Sequence, residues 1–148
     1  MSDEDGGRLR AVTVAGAAIT LPDPNPVLLL REIQQPWREL ALPVGMSEGI
    51  SIAAALQQIR SPRPMTHELF TDVMDAYVIT VQRLVIARVQ DGVFWAELEV
   101  AQGTELRSVS CRPSDGVALA LRQSHGVPIV VAEEVLAVAG RPAPGPPL

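Results

Sequence analysis

Ser110-Cys111-Arg112-Pro113-Ser114-Asp115-Gly116-Val117-Ala118-Leu119-Ala120-Leu121-Arg122 is the stretch on which the fold turns. It joins an apolar-periodic strand to an apolar helix through Arg112-Pro113-Ser114-Asp115. Pro113 suits the first turn of a helix, where its missing N–H has no partner to lose. Ser114 or Asp115 can cap the free amides. Val117, Leu119, Ala120 and Leu121 then form the buried side. A helix entered straight from a strand presents free N–H groups and partial positive charge, so Arg112 and Asp115 stand at an anion-binding position. An ordinary capped helix start explains the same residues, and local chemistry alone favours that plainer reading.

Upstream of this stretch the sequence reads as a meander. Val78 to Val89 is a strand, and Asp91-Gly92 is a hairpin signal. Val93 to Val100 alternates, with Phe94, Ala96, Leu98 and Val100 on one side. Gln102-Gly103-Thr104 is the next turn, and Glu105 to Cys111 the third strand. Downstream, the helix runs on to Gly126. Pro128 to Val131 is a short strand and Ala132 to Ala139 a final helix.

Nearer the N-terminus, Arg8 to Leu21 reads as one long strand or a strand pair. Pro22 to Pro26 is a loop, because each proline pushes its predecessor to extended geometry. Val27 to Leu30 is a short buried strand, and Glu39 to Val44 another. Ser47 to Ile59 reads as a helix with Ile50, Ala53, Ala54, Leu56 and Ile59 on its apolar side. Thr66 caps a second helix to about Tyr77, with Leu69, Phe70, Val73, Met74 and Tyr77 as its stripe. The expected fold class is α+β: a mainly antiparallel or mixed β-sheet packed with three to four α-helices in a single domain. Residues 1–7 are expected to be a disordered acidic leader, residues 8–140 the domain, and residues 141–148 a Pro-rich disordered tail.

Composition narrows the function classes. The 148 residues are 47% hydrophobic but only 3% aromatic, so the core must be Val, Leu, Ile and Ala. No apolar run is long enough to span a bilayer, and the acidic start is unlike a secretory signal, so a cytoplasmic protein is expected. The lone Cys111 excludes an internal disulfide and a Cys-based zinc cluster. The formal charge is −5, and all 12 basic residues are arginine. Mild acidity argues against a broad basic face for nucleic acid but leaves room for local arginine clusters.

Three helix starts carry candidate chemistry. His67 and Glu68 follow Pro64, Glu48 follows Ser47, and Asp115 follows Arg112. A neutral imidazole can act as a base or a ligand near neutral pH. Each residue also makes sense as a cap or a dipole partner alone. Cys111 reads as a buried strand cysteine rather than a nucleophile. If the three starts converge on one side of the sheet, Glu48, Arg63, His67, Glu68, Arg112 and Asp115 share a cleft.

The same blocks carry a family resemblance. Pro43-Val44-Gly45-Met46-Ser47-Glu48-Gly49, Arg63-Pro64-Met65-Thr66-His67-Glu68-Leu69, Phe94-Trp95-Ala96-Glu97-Leu98, Arg112 to Arg122 and Val127-Pro128-Ile129 occur in this order. Over roughly residues 10–140 the chain resembles the bifunctional nuclease family. The resemblance implies a self-associating α+β domain, a homodimer or higher homo-oligomer, that hydrolyses phosphodiester bonds of DNA and RNA with little sequence preference. On that basis Glu48, Glu68 and Asp115 are cast as metal or water ligands for Mg²⁺ or Mn²⁺. His67 is cast as general base or acid, and Arg63 and Arg112 as phosphate clamps. No organic cofactor and no membrane partner is expected. The arginine-only basic set with abundant Ala, Val and Pro suggests a GC-rich bacterial genome. The chain departs from the family pattern at Ser110, where an Asp is usual. It also has Gly49 and Gly116 where Ala is usual, which should loosen each helix start by up to about 1 kcal/mol. A second reading is a non-catalytic dimeric regulatory module that binds an anionic ligand or a partner protein.

Overall fold

Seven strands form one sheet in the order β3-β2-β1-β7-β4-β5-β6. The structure, a computed structural model, describes residues 8–20, 23–143 and 145–146. The strands are β1 (Leu9–Thr20), β2 (Asp23–Glu32), β3 (Glu39–Pro43), β4 (Thr80–Gln90), β5 (Val93–Gln102), β6 (Glu105–Cys111) and β7 (Ile129–Ala132). The helices are α1 (Met46–Leu56), α2 (Thr66–Ala76), α3 (Pro113–Ala120) and α4 (Glu133–Ala139). Two antiparallel meanders, β1–β3 and β4–β6, are joined by β7, which pairs antiparallel with β1 and parallel with β4. The sheet is therefore mixed, and the α+β expectation holds.

Cross-strand partners share a face. Leu28 opposes Leu42, Leu30 opposes Leu40, Val12 opposes Ile129, Ile129 opposes Leu84, and Leu84 opposes Leu98. All are buried, so one face of the sheet is lined with apolar residues from β3 to β5, with Glu32, opposite Val12, as a charged exception. Val117, Leu119, Ile52, Met74, Val135 and Leu136 of the helices join the same core. The other face carries exposed residues such as Ala11, Trp95, Glu97 and Ser108.

Most of α3 is buried, including Ser114, Gly116, Val117, Ala118, Leu119 and Ala120. It rests on β4 and β5, and both α1 and α2 pack against it. A helix apolar all round belongs inside, and α3 has Ala and Gly where backbones must come close. A Cβ on Gly116 would sit 2.4 Å from Leu84 Cδ1, and one on Gly49 would sit 2.8 Å from Pro26 Cβ. The two glycines are thus packing requirements rather than loose helix starts.

Several boundaries differ from the sequence reading. The proposed loop at 22–26 is strand from Asp23 onward; Pro22 lies outside the described residues, as do residues 1–7. Pro24 and Pro26 are tolerated because β3 pairs only with Val27 to Arg31, so no neighbour asks for their N–H on that side. α3 stops at Ala120 rather than running to Gly126. There Arg122 donates to Ala118 O and Gln123 to Leu119 O, and these side chains satisfy the last carbonyls. Arg141, read as the start of a free tail, bridges to Glu39 through backbone and side-chain hydrogen bonds.

The largest departure is α2. Its expected stripe is outward: Leu69, Phe70, Val73 and Tyr77 are 49–67% exposed, and only Met74 of that stripe is buried. Instead α2 turns Glu68 and Thr71 inward. α1 likewise buries Gly49 and Ile52 and leaves Ile50 exposed.

At the other polar part of the core, Glu32 is fully buried. Arg10 Nε donates to it at 2.7 Å and Arg38 Nε at 2.7 Å, while Arg38 reaches Glu133 at 2.8 Å. Burial pushes the Glu32 carboxyl up, but hydrogen bonds from Arg38 and Arg10 outweigh it and lower it to about 2.

Candidate functional site

Because α3 is clamped inside the helical layer, the starts of α1 and α2 are drawn to its own. The first turn of α1 supplies Glu48 and its second turn Ser51. The first turn of α2 supplies His67, and the entry to α3 supplies Arg112, at the N-cap, and Asp115.

His67 is the hub. Its Nδ1 is 2.7 Å from Ser51 Oγ, and its Nε2 is 2.8 Å from Asp115 Oδ1. Asp115 Oδ2 accepts from Arg112 Nε at 2.8 Å. A second nitrogen of Arg112 lies 3.7 Å from Glu48 Oε2. One chain of polar contacts thus runs Ser51, His67, Asp115, Arg112, Glu48. The imidazole is sheltered at 13% exposed, whereas the Arg112 side chain is 65% exposed and reaches water.

The charges fix the protons. Burial pushes the Asp115 carboxyl up, but hydrogen bonds from Arg112 and His67 outweigh it and hold it below the usual aspartate range. An ionised carboxylate only accepts, so His67 Nε2 carries a proton. In the neutral imidazole Nδ1 then offers a lone pair, and the Ser51 hydroxyl donates to it. This polarises the hydroxyl toward alkoxide, as a base beside a nucleophile does.

Of the residues cast from sequence, the structure brings Glu48, His67, Arg112 and Asp115 together. Glu68 takes no part in that network. Its carboxylate accepts from the backbone N–H of Met65 at 3.2 Å and of Ser61 at 3.1 Å, and Met65 rather than Thr66 holds the N-cap. Those backbone bonds, Met65 first, hold its pKa below the ordinary glutamate value. Glu68 also borders a cavity of about 250 Å³ with Arg60, Thr71 and Arg122. Arg63 is exposed on the connector between α1 and α2. Ser110 is exposed on β6 opposite Glu97, outside the network. Burial, then the negative charges of Asp115 and Glu97, push the Cys111 thiol up to about 11, so it is no thiolate at neutral pH.

The carboxylates cast as metal ligands do not form a ligand set. Among the described residues no three His, Cys, Asp or Glu gather as a metal site. Asp115 spends both oxygens on His67 and Arg112, and Glu48 faces Arg112 rather than Glu68.

Ser51 is the site residue that sequence reasoning missed. The available signal was its spacing: Ser51 is three residues beyond Glu48, on the same side of α1. Its partner is 16 residues away across a Pro-rich connector, and no local rule predicts that contact.

The model of the family described as "Bifunctional nuclease domain" matches residues 28–144. Two uncharacterized proteins of Mycobacterium tuberculosis, from strains CDC 1551 / Oshkosh and ATCC 25618 / H37Rv, are each 43% identical to this chain over 129 residues. The aligned part covers 87% of this chain and 75% of each relative.

Proposed function

The chain belongs to the bifunctional nuclease domain family, and from that premise we propose that it hydrolyses phosphodiester bonds of DNA and RNA with little sequence preference. The single observation that supports this reading most is the imidazole of His67 held between Ser51 and the ionised Asp115. Phosphodiester cleavage needs a base for the attacking hydroxyl, a proton for the leaving oxygen and a cation for the phosphate. His67 can take and return the proton at Nδ1. Asp115 positions the ring and neutralises the imidazolium that forms. Arg112, largely exposed and tethered by Asp115, offers its outer guanidinium edge to a phosphate oxygen.

No helix among the described residues is long and apolar enough to cross a membrane. We read the protein as a bacterial cytoplasmic enzyme that acts as a homodimer or higher homo-oligomer. The outward apolar stripe of α2, with Leu69, Phe70, Val73 and Tyr77, supports self-association.

A second reading has its own support. Arg112 stands between two carboxylates, so the site as a whole is acidic, and a non-catalytic dimeric module would need no phosphate-attracting field. The deciding experiment is cleavage of single-stranded DNA and RNA by purified protein in Mg²⁺, Mn²⁺ or EDTA, beside a folded His67→Ala variant. Cleavage lost in His67→Ala supports the nuclease. No cleavage in any buffer leaves the binding module. Cleavage equal in EDTA and in metal would fit a site built from protein side chains.

A further inference from the structure

We propose that Ser51 is the nucleophile, and that this chain cuts phosphodiesters through a covalent phosphoseryl intermediate. The inference deepens the nuclease reading and, for its natural substrate, rests on it. His67 Nε2 is committed to Asp115 at 2.8 Å, so Nδ1 is the only ring nitrogen left to act as a base. That nitrogen already holds the Ser51 hydroxyl at 2.7 Å. A water nucleophile would have to displace the serine to reach the base, whereas Ser51 is in place. Ser51 is half-buried in α1, and its backbone carbonyl accepts from Arg122 at 2.9 Å, which pins the residue from the other side. The order hydroxyl, imidazole, carboxylate is that of an activated serine, here with the two ring nitrogens exchanged relative to the serine-protease arrangement.

The step balances without redox chemistry. The Ser51 Oγ lone pair forms a bond to phosphorus as its proton passes to His67 Nδ1. The bond from phosphorus to the leaving nucleoside oxygen breaks, and that oxygen keeps the electron pair and takes the proton from His67. A water then attacks the phosphoserine diester, giving a proton to His67. The phosphorus–Oγ bond breaks, and Ser51 regains its proton. The net change is one water consumed, one hydroxyl end and one phosphomonoester end made. Asp115 touches neither substrate nor phosphorus and is a positioning residue.

The test uses the 148-residue chain and a fluorophosphonate probe, which phosphonylates activated serines whether or not nucleic acid is a substrate. Intact mass and peptide mapping should place one adduct on Ser51, with none in Ser51→Ala. Labelling should slow by about 100-fold in His67→Ala, the order expected for loss of a general base. Acid quench during cleavage of DNA should trap the nucleotidyl adduct on the same residue. An adduct on Ser51 without any nucleic-acid cleavage keeps the nucleophile and removes the nuclease. Cleavage that persists at wild-type rate in Ser51→Ala removes the nucleophile and keeps the nuclease. Failure of the unmodified protein to label at Ser51, under conditions that label a known serine hydrolase, overturns the inference without reference to any variant's folding.

Discussion

His67 Nε2 and Asp115 Oδ1 lie 2.8 Å apart although 48 residues separate them in the chain. The contact exists because α3 is buried and α2 packs against it, so the two helix starts are neighbours by architecture. A carboxylate at that distance sets which imidazole nitrogen is protonated.

Asp115→Asn should therefore do more than remove a charge. An amide nitrogen facing Nε2 would donate to it and move the imidazole proton to Nδ1, so His67 would donate to Ser51 instead of accepting from it. Cleavage of single-stranded DNA should fall by about 100-fold or more, while circular dichroism stays native. Asp115→Asn with unchanged turnover would remove the tautomer argument.

Glu32 predicts the acid limb of stability. Its folded value is lowered to about 2 from an ordinary 4.5. A lowered carboxylate stabilises the fold at pH above 4.5, and that contribution fades as the pH falls from there through about 2. The difference corresponds to roughly 3 kcal/mol. Urea titrations from pH 7 down to pH 3 should show this loss, and Glu32→Gln should be both weaker at neutral pH and flatter across the range. A Glu32→Gln protein as stable as the parent at pH 7 would contradict the network of Arg10 and Arg38.

Gly49→Ala and Gly116→Ala set propensity against packing. On an exposed helix surface the change would stabilise by up to about 1 kcal/mol. Here the new methyl would meet Pro26 or Leu84 at 2.8 Å and 2.4 Å, and overpacking of this kind costs about 1–3 kcal/mol. Both variants should melt below the parent. A rise in melting temperature for either would mean that the neighbours yield.

Phe70→Glu probes the outward face of α2. Phe70 is 53% exposed in the single chain, so the monomer's stability should change little. Analytical ultracentrifugation should show the parent as an oligomer and Phe70→Glu shifted toward monomer. Sedimentation of the parent as a monomer at every concentration would remove the assembly.

Where the sequence was legible, period and turn chemistry carried the information. Asp91 and Gly92 both adopt positive φ, as the hairpin reading required, and Gln90 pairs with Val93. Pro113 sits at the first turn of α3 as expected. The convergence of Glu48, His67, Arg112 and Asp115 followed from three helix starts, a pattern that sequence can suggest. Ser51 was invisible because its partner comes from another helix. Glu68 follows His67 in sequence but turns to the Met65 and Ser61 amides, because a cap and a catalytic carboxylate share the same position in a helix. The α2 stripe misled for a third reason: an apolar face of helical period states that something must cover it, not that this chain does.

The place of β7 has a consequence for synthesis. Ribosomes emit β1 to β6 before Ile129, yet β7 is the strand that both meanders border. A nascent chain stopped short of it holds two separate three-stranded pieces, each with an unmatched inner border at β1 or β4. The halves of the apolar face become one only when β7 itself has left the exit tunnel. Premature termination upstream of β7 should therefore yield a sticky, protease-sensitive product, and limited proteolysis of stalled chains of increasing length should show resistance arriving in a single late step.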